Sequence, residues 1–313
     1  MTNKLGGNIL IKSREKMSRS VKANILGYGL IAPAVLVIII IGIFPIISTF
    51  LYSFQHKILT DPTNDSWVGL QNFIDIFRDK GFSNTLKNTI VFSLISVVFE
   101  LVIGFLGALL MHNAKKGKTI IRTAVLIPWA IPGIVIAQMF SFMFNDQLGV
   151  INQILRYFGI INENIVWLAD KKWAMFAVIS ADTWKQFPYV ALMLLAGLQI
   201  IDKELYESAQ VDGAGKLRRF IYITLPNIKP ILLVVLLFRT MGAIRIFDII
   251  YGMTGGGPAD STNTLLNASY KYLFSDYNFG MGSAMSVIIF LIILAFSSCY
   301  IKILKSDEEE ECL

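Results

Sequence analysis

Residues 30–47 read LIAPAVLVIIIIGIFPII, an apolar run without one charged side chain. Widened to Tyr28–Phe54, it still holds no Asp, Glu, Lys or Arg. A helix rises about 1.5 Å per residue and needs about 20 apolar residues to cross the hydrocarbon of a bilayer. The run therefore predicts a membrane span. Working outward, five further runs follow, at Asn88–Met111, Thr123–Phe144, Trp173–Ile201, Ile231–Tyr251 and Phe279–Ile301. In lipid each backbone amide must bond within its own segment, so every run should be helical. The whole chain agrees. Of its 313 residues, 55% are hydrophobic and 16% are charged, with a mean hydropathy of +0.61. Soluble domains carry about 25% charged residues. A soluble globule is excluded, and the expected class is an all-α integral membrane protein with six transmembrane helices.

The basic residues set the orientation. Segments 1–27, 112–122, 202–230 and 302–313 hold 6, 4, 5 and 2 Lys and Arg, whereas 55–82, 145–172 and 252–278 hold 3, 3 and 1. The positive-inside rule puts the first group, and with it both termini, in the cytoplasm. The net charge of +6 belongs to these flanks and does not indicate nucleic acid. The expected organisation is a basic cytoplasmic segment 1–27, a six-span domain 28–303 with its longest cytoplasmic loop at 202–230, and an acidic, solvated tail 304–313. The first run is too long for the apolar core of a signal peptide, and no A-x-A-like cleavage site follows it, so it is read as an uncleaved span. Cys299 in the sixth run and Cys312 in the tail are not expected to pair. His56 and His112 sit at span ends and are read as interfacial. No metal-ligating cluster and no nucleophile–base set exists, so neither a metal site nor a catalytic residue is expected.

Two outer stretches have helical spacing of apolar residues. They are Leu148, Ile151, Ile154, Leu155 and Phe158, and Phe73, Ile76 and Phe77. Both are read as amphipathic surface helices. Gly255-Gly256-Gly257-Pro258 should end the fifth helix in a sharp turn. In the 202–230 loop, Leu205, Ser208, Ala209 and Val211 can form one face of a short helix, Asp212-Gly213 is a turn signal, and a second short helix near Lys216–Ile223 should stop before Pro226. Gly213-Ala-Gly-Lys216 is not a phosphate loop. That motif needs a glycine five residues before Gly215, where Gln210 stands, and a Ser or Thr after the lysine, where Leu217 stands.

Charges inside a span cost a few kcal/mol, so they need a reason. Asp182 and Lys185 are three residues apart on the fourth run, and Arg245 and Asp248 on the fifth. Each pair is expected to share a helical face. Facing a common cavity, with Gln186, Tyr189 and Tyr251 nearby, they could bind a polyhydroxylated solute. The plainer reading is that they hold helices together. That reading weighs most for Glu100, Arg239 and Asp248. Pro132 and Pro188 are possible bending points. Gly280-x-Gly282-x-Ala284 should permit close helix packing.

From Glu207 to Pro226 the loop reads E-x-A-x-x-D-G-A followed by F-x-x-I-x-L-P, with Ser208 at a position usually held by alanine. With Trp67-Val-Gly-Leu-Gln-Asn-Phe73, Arg122 to Pro128-Trp129, Trp184-Lys-Gln-Phe-Pro188-Tyr189 and Phe247-Asp248 to Gly257-Pro258, it resembles permease subunits of binding-protein-dependent ATP-binding-cassette sugar importers, most closely the maltose-type first permease half. The resemblance covers about residues 27–303. It implies a type I importer permease fold in a bacterial cell membrane, with Glu207, Ser208, Ala209, Asp212, Gly213 and Ala214 forming a coupling helix that seats in an ATPase subunit. It also implies a second homologous permease subunit, two ATPase subunits that use ATP and Mg, an extracytoplasmic solute-binding protein, a sugar as cargo and no bond chemistry by this chain. Sugar would sit between the fourth and fifth spans, which favours Lys185, Gln186 and Tyr189 as wall residues beside Asp182, Arg245 and Asp248. Two rivals remain at this point. One is a permease for another solute, such as glycerol phosphate or a peptide, for which Lys185 and Arg245 could supply positive charge. The other is an ion-coupled secondary transporter working alone, which predicts internal repeats.

Overall fold

A computed structural model describes residue 21, residues 24–114 and residues 116–311, with side chains described through residue 303. The basic stretch 1–20 and Cys312 lie outside the described residues, as do the side chains of the acidic tail. The chain divides into two compact units, 1–52 and 53–313.

The first unit carries helix α1, Asn24–Ser53, which is 30 residues long and has a mean hydropathy of 3.0 over its most apolar stretch. One π-helical turn, Ile39–Ile43, lies within it. Most of its side chains, Leu30, Ile41 and Phe44 among them, are exposed, and Ser53 at its end is buried.

The second unit opens with a small antiparallel pair, β1 (Gln55–His56) and β2 (Ser66–Trp67), with Gln55 opposite Trp67 and His56 opposite Ser66. Helix α2, Gln71–Arg78, follows. Asp79 then caps α3, Lys80–Asn113, by accepting from the Gly81 amide. His112 ends α3 exposed.

The third run is not one straight helix. It is split into α4, Lys118–Ala130, and α5, Gly133–Met143, bent by 94°. Pro132 lacks an amide hydrogen and forces the residue before it out of the helical region. Ile131 is accordingly extended, with φ −81° and ψ 134°. Pro188, by contrast, stays inside α7, Lys171–Ile200. The surface helix α6, Val150–Tyr157, precedes α7 and is tied down by buried Asn152, which bonds the Asp146 and Ile165 carbonyls and the Trp167 indole.

The fifth run differs at both ends. The helix near Lys216 does not stop before Pro226 but continues as α9, Lys216–Ile244. A π-helical turn, Phe220–Thr224, immediately precedes the proline and accommodates its missing donor. At its other end α9 finishes at Ile244, and Asp248–Met253 is a separate helix, α10. The glycine cluster therefore follows α10, turning through positive φ at Gly255 (59°) and Gly256 (94°). Helix α11, Leu265–Phe274, leads to α12, Phe279–Glu311. The small residues at its start permit the close packing expected of them: a Cβ on Gly280 would stand 2.3 Å from the Gln55 carbonyl, and one on Gly282 2.5 Å from Leu273.

Among the described residues four helices are long and apolar enough to cross a membrane, and two bent pairs, α4 with α5 and α7 with α8 (Lys203–Val211), bring the number to six if each counts as one span. Helix α7 is less apolar than the others because Asp182, Lys185 and Gln186 interrupt it.

Packing of α3, α7 and α9 forms the centre. Gly104 on α3 sits so close to α7 that an added Cβ would lie 2.6 Å from Val190, the small-residue contact that lets helices associate in lipid. Two buried apolar clusters result. One holds Phe92, Val97, Ala177, Ala181 and Ala243. The other holds Ala108, Met111, Val190, Leu194, Ile228 and Val235. On all three helices the polar residues Glu100, Asp182 and Arg239 fall between these clusters.

Candidate functional site

The elbow between α7 and α9 is built by local rules. Helix α8 leaves α7 at 68°. It ends in a paired set of backbone bonds, Gly213 N–H to the Gln210 carbonyl at 3.1 Å and Ala214 N–H to the Ala209 carbonyl at 2.9 Å. That closure needs a left-handed residue, and Gly213 supplies it at φ 77°. The Arg219 guanidinium donates to Gln210 Oε1 at 3.2 Å, and Tyr206 and buried Thr224 share a hydroxyl bond of 2.8 Å. Thus α8 is fastened to α9 as well as joined to α7. Arg219 is engaged within the elbow, whereas Arg218 is exposed. No residue of α8 is buried. Glu207, Ser208, Asp212 and Gly213 are exposed, Ala209 and Ala214 half-exposed, and Val211 is 89% exposed. A concavity of about 300 Å³ beside it is lined by Ala209, Asp212, Ala214, Arg218, Arg219 and Tyr222.

The second site is the polar layer between the apolar clusters. Arg239 on α9 donates Nε–H to Glu100 Oε2 at 2.6 Å and Nη2–H to Glu100 Oε1 at 2.8 Å. This bidentate, charge-assisted pair joins α3 to α9. Asp182 of α7 stands 3.7 Å from the same guanidinium, and its side chain is 1% exposed. Among the described residues, no donor lies in hydrogen-bonding geometry to either Asp182 carboxylate oxygen. Arg239 is therefore the ion partner of Asp182, in place of the expected Lys185.

Arg245 and Asp248 do not pair either. Because α9 ends at Ile244 they share no helical face. Arg245 turns back to the Met241 carbonyl at 3.2 Å. Asp248 lies against the first residue of α5, so close that a Cβ on Gly133 would be 1.3 Å from its Oδ2.

A cleft of about 420 Å³ gathers Asp182, Gln186, Arg239, Arg245 and Asp248, with Gly242, Ile246 and Leu266. The structure thus brings four of the expected wall residues together, Asp182, Gln186, Arg245 and Asp248. Lys185 and Tyr189 are half-buried on α7 outside this lining, and the Tyr189 ring sits 6.3 Å from that of Trp129. Gly242 is a further lining residue that the sequence did not mark. The Glu100–Arg239 pair had one legible signal: an acid on one run and a base on another, neither with an opposite charge at helical spacing.

Comparison with known proteins gives the family and the fold. The family model described as binding-protein-dependent transport system inner membrane component matches residues 100–305. Over 278 residues the chain is 39% identical to the trehalose/maltose transport system permease protein MalF of Thermococcus litoralis, covering 89% of this chain and 93% of that one. It is 34% identical over 276 residues to the sn-glycerol-3-phosphate transport system permease protein UgpA of Agrobacterium fabrum, covering 88% and 93%. In fold it is similar to a bacterial ABC transporter involved in the import of the acidic polysaccharide alginate, with TM-score 0.81 and 23% identity over 93% of this chain and 99% of that one. With more than half of its length matched by the family model, and with relatives of this identity along nearly its whole length, the chain belongs to the binding-protein-dependent transport system inner membrane components.

Proposed function

We propose that the chain is the first permease half of an ATP-driven sugar importer. It forms one side of the translocation pathway and is moved through its elbow. The observation that carries this reading is mechanical. An exposed helix, α8, is fastened by Gly213 and the Arg219–Gln210 and Tyr206–Thr224 bonds to two helices that contribute the intramembrane cleft. Glu207, Ser208, Ala209, Asp212, Gly213 and Ala214 are the contact for a separate ATPase subunit, one of two, which binds ATP and Mg. Glu207 and Asp212 face basic groups there, and Arg218 faces acidic ones. ATPase closure draws the elbow toward its counterpart on a second permease subunit and turns the paired spans from inward- to outward-facing. Hydrolysis returns them. Both termini lie in the cytoplasm, and an extracytoplasmic binding protein delivers the cargo. The alginate transporter similar in fold has been crystallised with a periplasmic protein holding an alginate pentasaccharide, which supports such a partner here.

The cleft favours a neutral sugar. Its wall offers the Asp182 and Asp248 carboxylates, the Gln186 amide and the Arg245 guanidinium, with Lys185 and Tyr189 flanking on α7. A phosphorylated solute would need paired cations. Arg239 is already held by Glu100, which leaves Arg245 facing two carboxylates. The trehalose/maltose permease at 39% identity supports sugar over the glycerol phosphate permease at 34%. Site-directed crosslinking tests the elbow. Cysteine at position 208 should link to a cysteine-bearing ATPase subunit co-expressed from the same genome and protect it from alkylation, while a cysteine on outer helix α6 should not. Equal labelling of both positions would remove the assignment.

A further inference from the structure

Four aromatic rings run from the cleft toward the outer face. Phe247 stands between two cleft residues, Ile246 and Asp248. Its ring stacks on that of Tyr251, with centroids 5.2 Å apart and planes at 20°. Tyr270 lies 4.7 Å from Phe247 and 5.2 Å from Tyr251. Phe274 continues the row, 4.7 Å beyond Tyr270. Leu266, a cleft residue, and Tyr270 and Phe274 follow one another at four-residue steps along α11, so one helical face carries the row away from the cleft.

The far end is an outer rim. The segment after Phe274 is bound to the β1 region by Leu59 N–H to the Tyr277 carbonyl at 2.9 Å and Gly280 N–H to the Lys57 carbonyl at 3.1 Å. The rings are not sealed in the core, since Tyr251 is 48% and Phe274 58% exposed. Tyr251 and Tyr270 meet edge to face with ring planes at 66°, and the contact with Tyr251, followed by burial, pushes the Tyr270 hydroxyl above the ordinary phenol range. At the inner end the cleft wall offers Gln186 and Asp248, while buried Asp182 is held by Arg239 at 3.7 Å.

This combination has a specific chemistry. A pyranose ring has one or two faces made of C–H groups and a rim of hydroxyls. Aromatic faces accept C–H-rich surfaces, whereas acyclic or multiply charged solutes offer no such face. Tyrosine hydroxyls placed beside the rings can bond the sugar's rim. A row of rings spaced about one helical turn apart lets successive sugar rings hand over from one to the next. At the cleft, the Gln186 amide and the Asp248 carboxylate then bond the sugar's hydroxyls.

We infer that Phe247, Tyr251, Tyr270 and Phe274 form an aromatic ramp that stacks pyranose rings and conducts them from the outer mouth to the polar cleft. The inference rests on the sugar-importer reading, in which Tyr251 is only a nearby hydrogen bonder and Phe247, Tyr270 and Phe274 have no part.

The test is uptake of radiolabelled maltose and trehalose into proteoliposomes holding the assembled importer with its binding protein saturating. Tyr251→Leu and Phe274→Leu should each lower uptake roughly three- to tenfold, the range expected for loss of one stacked ring. Tyr251→Phe and Phe274→Trp, which keep a ring, should stay within about twofold of wild type. If the wild-type importer takes up neither disaccharide, the sugar reading fails and the ramp with it. If it does and the leucine variants match it, or the ring-preserving variants lose as much as the leucine ones, the ramp alone is overturned. Loss of subunit co-purification in Phe274→Leu would also overturn it, by placing the rings in a subunit contact.

Discussion

Replacing Arg239 by leucine is the sharpest perturbation of the membrane interior. It removes the guanidinium that donates twice to Glu100 and sits 3.7 Å from Asp182. Two carboxylates, 0% and 1% exposed, then lose their ion-pair partner. Breaking a buried pair by deleting one member costs about 3–5 kcal/mol in soluble proteins. In lipid or micelles the unfolded helices also find polar partners, which trims each bond. The expected loss for Arg239→Leu is therefore about 2–4 kcal/mol. Glu100→Leu should cost less, about 1–2 kcal/mol, because Arg239 keeps Asp182. The double variant removes both ends and should be less destabilised than the sum of the singles by about 1–2 kcal/mol. The assay is reversible unfolding in mixed micelles with rising dodecyl sulfate, followed by far-ultraviolet circular dichroism. Arg239→Leu within about 0.5 kcal/mol of wild type, or strict additivity of the pair, would refute the reasoning.

Other outcomes follow from the same geometry. Gly133→Ala would drive a methyl into the Asp248 carboxylate, so that side chain must rotate away from α5, and a loss of about 1 kcal/mol is expected in the same unfolding assay. At Gly213 there is open space around a missing Cβ but φ is 77°. Gly213→Asp should therefore cost about 1 kcal/mol of backbone strain, lowering the melting temperature by only a few degrees, while abolishing ATP-driven uptake; normal uptake would contradict the docking surface. Gln186→Ala should weaken sugar uptake about fivefold by loss of its hydrogen bonds, and Lys185→Ala, one residue outside the cleft lining, should change it less; the reverse order would move the wall.

Much of this was readable beforehand because lipid makes backbone bonding local. Tyr28–Phe54 and Phe279–Ile301 are apolar throughout, and their helices appear where the hydropathy puts them. The elbow was legible for a different reason: Asp212-Gly213 is a turn by backbone geometry alone, and Gly213 adopts the conformation that a side chain resists. Where prolines decide, local rules were less complete. Pro132 breaks its helix, Pro188 does not, and Pro226 is absorbed by a π-helical turn. A missing donor is costly only if neighbouring backbone cannot adjust, and that depends on packing. The cleft was half legible. Asp182, Gln186, Arg245 and Asp248 were marked as charged or polar in otherwise apolar runs. Their partners were misassigned because helical spacing reports only neighbours on one helix. The pairings of Arg239 with Glu100 and of Asp248 with Gly133 cross between helices distant in sequence.

The central claim is that this chain moves solute only when a separate ATPase grips its elbow. ATP-dependent uptake of labelled maltose should be measured in proteoliposomes containing both permease subunits and the binding protein, with and without the ATPase subunits. Uptake that requires both the ATPase and internal ATP is the predicted result. Uptake by the permease chains alone, driven by an ion gradient or by none, would contradict the account.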